Sequence, residues 1–249
     1  MVMKHLIISL FSAVLLLGAA LPARAGDETG PAPTVSFGLA GSYGWYNNWL
    51  RKGGDMILKH EFAPGYGGAF VFEKMFNNIA GIHTGLWFNQ MNLVMKLKSR
   101  ITSLSIEPMS LAYTKMKVEG WTFSFPLSLV TSLNASFFSF QIHAGIKYTQ
   151  IITSRMTHNN QMLSVYRRKM DMMSMIYPSQ FGFTLGLFFK FRTVAYVDIF
   201  FGGEGELYVT QMIKHNNDVS HLIGLTVQAG VMFRTNIFPM TAPAEQAAL

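Results

Sequence analysis

The sequence predicts an all-β protein, an eight-stranded antiparallel transmembrane barrel of up-and-down topology, and three observations predict it. Half of the residues are hydrophobic but only 13% are charged, whereas soluble domains carry about a quarter. Beyond the N-terminal segment no apolar stretch approaches the roughly 20 residues that a membrane-spanning helix needs. Apolar and polar residues alternate instead through eight segments, as strands do when one face meets lipid and the other a lumen.

Residues 1–25 read as a secretory signal: Lys4 opens it, Leu6 to Leu17 form its apolar stretch, and Ala23-Arg24-Ala25 is a small-x-small cleavage site. The rival, an uncleaved anchor, has too short an apolar run. The mature chain is expected to begin at Gly26, with 26–34 a periplasmic N-terminal segment, 35–238 the barrel and 239–249 a periplasmic tail. There is no cysteine, so stability after export must come from backbone pairing and packing.

The first strand is expected over 35–46, with Val35, Phe37, Leu39, Tyr43 and Trp45 opposite Ser36, Gly38, Ala40, Ser42 and Gly44. The second is placed at 66–75, the third at 79–97 and the fourth at 109–130. The fifth, 137–152, sets Phe138, Phe140, Ile142, Ala144, Ile146 and Tyr148 against Ser139, Gln141, His143, Lys147 and Thr149. The sixth is placed at 177–191, the seventh at 194–212 and the eighth at 221–236. Short turns at 76–78, 132–135 and 192–193 alternate with longer connections at 47–65, 98–108, 153–176 and 213–220. Outer-membrane barrels show that alternation, with the short turns in the periplasm. An even strand number puts both chain ends there. In a soluble sandwich, the competing fold, the apolar face of each strand would pack a core and the polar face would be wet. Glycines on the polar faces favour the barrel, because a narrow interior needs small residues to make room for large polar ones.

The chain resembles the PorT-like outer-membrane β-barrel proteins, within the wider OmpA/OmpX-like group. "WTFSFPLSLV" at 121–130 is similar to that family's aromatic-x-x-x-Pro-Leu strand opening, and "FQIHAGIKYTQ", "FGFTLGLFFKF" and "IGLTVQAGVMF" follow it. The resemblance implies the architecture and no chemistry. Gln228, Gly230 and Phe233 also resemble the signal by which the barrel-assembly machinery recognises a last strand, although Thr235 stands where a final aromatic should be.

Polar-face positions read inward give Glu73, His143, Lys147, Lys190, Asp198, Glu204, Glu206 and Arg234, which in a poorly solvated lumen must pair. The pairing is expected to close the barrel and fix its register, and a conducting pathway is the alternative. His143 and His83 would be catalytic suspects for a lipid-A-modifying enzyme, but no local motif groups a serine, a histidine and an acid. No metal-ligand spacing is evident along the strands, and neither a cofactor nor a catalytic set is expected.

Removing residues 1–25 takes away Lys4 and Arg24 and lowers the formal charge from +7 to +5. Nucleic acid does not suit an exported protein, and phosphorylated lipid is the nearer anionic partner. Basic residues gather on the long-loop side: Lys96, Lys98, Arg100, Lys115, Lys117, Arg155, Arg167, Arg168 and Lys169. They are expected to meet lipopolysaccharide phosphates, while Met170, Met172 and Met173, with Met91 and Leu93 nearby, would suit a protein partner.

Overall fold

The structure is a computed structural model, and it describes residues 34–51, 58–98, 113–135, 137–160, 169–171, 173–174, 176–194, 196–212 and 219–235. The segment expected to be an export signal, nearly all of the expected N-terminal segment and the expected C-terminal tail lie outside the described residues. Eight long strands form the wall: β1 (Thr34–Arg51), β2 (Leu58–Met75), β3 (Ala80–Lys98), β4 (Tyr113–Asn134), β5 (Phe138–Asn160), β7 (Ser179–Val194), β8 (Val197–Gln211) and β9 (Val219–Thr235). Each pairs antiparallel with its neighbours in chain order, and β1 closes the ring against β9, from Val35↔Thr235 to Arg51↔Val219. A ninth, three-residue strand, β6 (Lys169–Asp171), lies against the far end of β5, where a loop was expected.

The three short turns and both described chain ends share one end of the barrel, the turn end. The Asn77 carboxamide makes the first turn, accepting from the backbone N–H of Ile79 at 2.8 Å and of Ala80 at 2.6 Å. At the opposite, loop end the strands outrun expectation. β1 reaches Arg51, β2 starts at Leu58, and β5 continues to Asn160, so much of the connection expected at 47–65 is paired ladder. Pro64, Gly65 and Gly67 look like turn residues in sequence, but here they mark an irregularity in the β2–β3 register between Phe62 and Gly67. The Asn92 amide donates to the Pro64 carbonyl across it at 2.5 Å. Strands of 15 to 23 residues exceed the roughly 9–11 that cross a bilayer.

The outer wall is apolar and the interior polar, the reverse of a soluble fold. Leu39 is 65% exposed and Leu129 52%, with Phe70, Phe123, Leu187, Phe201 and Leu225 similarly bare. Aromatic rings pair across strands on this wall, Phe88 on Trp121 at 4.9 Å and Phe189 on Phe201 at 5.5 Å. Ser128, Gln141, His143, Lys147, Thr184 and Glu206 are buried inside. This inversion excludes the sandwich and makes the chain a membrane-spanning barrel, since only a closed ladder satisfies its backbone in lipid.

Candidate functional site in the barrel lumen

Inward positions, read from the turn end along β8, are Asp198, Phe200, Gly202, Glu204, Glu206, Tyr208 and, just past the strand, Met212. Ionic, aromatic and apolar groups succeed one another, and the other strands add to each level. At the turn end Arg234 Nε lies 3.1 Å from Asp198 Oδ1. Deeper in, Lys190 Nζ donates to Glu73 Oε1, and Gln141 Nε2 reaches the same oxygen at 3.4 Å. Glu73 Oε2 faces His83 Nδ1 at 3.9 Å. His143 Nε2 is 3.3 Å from Gln141 Oε1, and its ring lies 4.8 Å from that of His83 and 4.4 Å from that of Phe188.

Higher up, Lys147 serves two carboxylates. It donates to Glu206 Oε1 at 2.7 Å and lies 3.6 Å from Glu204 Oε1. The Tyr208 hydroxyl donates to Glu206 Oε2 at 2.9 Å and meets the Thr149 hydroxyl at 2.8 Å, which in turn meets Ser124 at 2.8 Å. Every inward group proposed from the sequence is therefore in the lumen. Seven are buried, and Arg234 is partly exposed at the mouth.

Large inward rings were not foreseen. Trp87, Phe188 and Phe200 pack with Ala40, Ala69, Val71 and Met232 inside the barrel. Glycines make the space: a Cβ at Gly202 would lie 2.4 Å from Phe188 Cδ1, and one at Gly230 2.7 Å from Phe200 Cε1. Thus Gly230, read as part of the assembly signal, also seats an interior ring. Of that signal's other members, Gln228 is buried in the lumen, while Phe233 faces outward beside Phe37 at 6.0 Å.

At the loop end the lumen is filled by Tyr46, Met91, Leu93, Val118, Ile151, Met156, Ile176, Tyr208, Met212 and Leu222. Met91 and Leu93, expected to suit a protein partner, are buried here, because the parity of β3 turns them inward. Met173 packs on the same cluster and is half-buried. Of the basic rim residues, Lys117 and Arg155 are exposed, and Lys117 Nζ pairs with Glu119 at 2.6 Å. Lys96, Lys98, Lys115, Lys169 and Met170 fall in the loop-end reaches of β3, β4 and β6. Arg100, Arg167, Arg168 and Met172 lie outside the described residues.

The turn end keeps a pocket of about 130 Å³ that reaches Glu73, Gln141, Lys190, Asp198 and Arg234. Chemically, the interior can hold charge and protons in fixed places. His143 is packed against Phe188 and bonded to Gln141, away from the membrane rim where a lipid substrate would be met. Sequence spacing gave no hint that the donor atoms of Glu73, His83 and His143, from three strands, lie within 4.8 Å of one another.

No protein-family model and no curated protein matches the chain. Its fold is similar to solved barrels. The outer membrane protein OprG from Pseudomonas aeruginosa is 11% identical, covering 84% of this chain and 99% of that one with a TM-score of 0.48. Neisserial surface protein A is 10% identical over 80% of this chain and 97% of that one, with a TM-score of 0.43. The attachment invasion locus protein Ail of Yersinia pestis, solved with the heparin analogue sucrose octasulfate, is 11% identical, covering 81% and 99%, with a TM-score of 0.38.

Proposed function

We propose that this chain is an integral bacterial outer-membrane barrel of PorT-like type, non-enzymatic, whose lumen is a closed support and whose loop-end rim binds lipopolysaccharide or a protein partner. The observation that carries the proposal is the filled interior: ion pairs, inward aromatic rings and the apolar cluster occupy successive levels from Asp198 to Met212. A barrel plugged along its length leaves the rim as its working surface. The exposed Lys117 and Arg155 belong to the basic set that suits lipid phosphates. Both chain ends are then periplasmic, and the assembly machinery meets the chain only during insertion.

Replacing 99–112 and 161–168 by short turns, together with Lys117→Gln and Arg155→Gln, tests this, because the paired ladders remain while the basic rim is removed. The trimmed barrel should still insert, stay closed in planar bilayers and lose the lipopolysaccharide that the full chain retains on purification. Undiminished retention, or stepwise conductance from the intact chain, would overturn the proposal.

A further inference from the structure

The buried carboxylates Glu204 and Glu206 share Lys147, while Glu73 takes Lys190. Beside Glu73 the fold also gathers two buried histidines, His83 and His143, whose rings lie 4.8 Å apart.

We infer that Glu73, His83 and His143 form a binding site for a late first-row divalent metal ion of the zinc class, a site independent of whatever the rim binds. Their donor atoms come from β2, β3 and β5 and lie within 4.8 Å of one another. Two imidazoles and one carboxylate suit zinc, nickel or copper, whereas calcium and magnesium call for oxygen donors alone. Among the described residues His83 Nδ1 is buried with no hydrogen-bond partner, and it faces Glu73 Oε2 at 3.9 Å. Gln141 holds both His143 and Glu73, the outer-shell support that orients metal ligands. The turn-end pocket reaches Glu73 and Gln141 and gives an ion its way in.

Tetrahedral coordination needs donors about 3.3 Å apart, so the side chains must draw together. His83 can turn without giving up a hydrogen bond at Nδ1. Lys190 occupies the other oxygen of Glu73 and opposes a divalent charge, which holds the affinity to the micromolar range.

The test uses the full chain, free of affinity tags and folded into phosphatidylcholine vesicles, titrated with Zn²⁺ by calorimetry and with Co²⁺ by visible absorption. One ion should bind per chain with micromolar affinity, and Co²⁺ should give a ligand-field band of low coordination number. The His83→Gln/His143→Gln double variant should weaken binding at least about tenfold, while Lys190→Met should tighten it at least about tenfold by removing a neighbouring positive charge. A merely structural Lys190 would not do the latter. Binding only at millimolar Zn²⁺, an unchanged double variant, or Lys190→Met binding no tighter would each overturn the assignment. If the double variant does not fold, histidine side-chain ¹⁵N resonances of the wild-type protein decide: Zn²⁺ must shift both His83 and His143, and failure to shift either overturns it.

Discussion

Toward the turn end Glu73, Lys190, Asp198 and Arg234 occupy the lumen, whereas at the loop end Met91, Ile151, Met212 and Leu222 meet with no formal charge among them. Both regions fill a space of barrel-wall dimensions, but their stabilities rest on different things. An ionic filling is held by partnership, since each charge is tolerable only while its counter-charge remains. An apolar filling is held by volume, since each side chain contributes what it removes from water and what gap it leaves when lost.

The largest effect expected of that difference is at Glu73. Glu73→Gln leaves the Lys190 ammonium buried without its counter-ion and should cost about 3–5 kcal/mol, read by urea unfolding from vesicles in the presence of a chelator. Glu73→Leu combined with Lys190→Met should recover most of that loss, because removing both charges removes the need for pairing. If the double variant is as unstable as Glu73→Gln, partnership is not what holds this end.

A smaller effect is expected at the loop end. Met91→Ala should cost about 2–4 kcal/mol, whereas the near-isosteric Met91→Leu should cost less than about 1.5 kcal/mol. The same unfolding assay checks both, and equal losses would mean that volume is not the controlling quantity. The smallest effect is at the exposed pair Lys117 and Glu119, which resembles the turn-end pairs in chemistry but not in surroundings. Lys117→Gln should change stability by less than about 1 kcal/mol, and added salt should erase even that. A loss comparable to that of Glu73→Gln would show that burial does not separate the two kinds of pair.

What was legible in the sequence follows the same division. Period-two alternation fixes the facing of each residue, so Ser139, Gln141, His143 and Lys147 could be assigned inward from the chain alone, as could the ionic groups on the other strands. Facing says nothing of depth along the barrel or of which strands meet across the lumen. That Glu73 would find Lys190, 117 residues on, is set by barrel closure and shear, which a local pattern does not encode. The inward rings are hidden for a related reason: Phe188 is apolar like its lipid-facing neighbours, and only the glycines beside it, Gly186 on its own strand and Gly202 opposite, signal that a ring has room inside. At the loop end, pairing continues beyond Pro64 and Gly65, but these read as a turn, and so the ladder's true extent is hidden in the sequence.

The closing ladder between β1 and β9 bears on the order in which the molecule can form. Every other pair of long strands joins neighbours in the chain, so each hairpin can zip as soon as its two strands exist. The partner of Phe37 is Phe233 and that of Gly44 is Thr226, contacts across nearly the whole barrel that carry the largest loop-closure cost. Until Val219–Thr235 arrives, β1 and β8 each present an unpaired edge of N–H and C=O groups, which hydrocarbon does not tolerate and which invites other strands. The barrel therefore closes last at this seam, and a chain stopped short of β9 has no membrane-stable form.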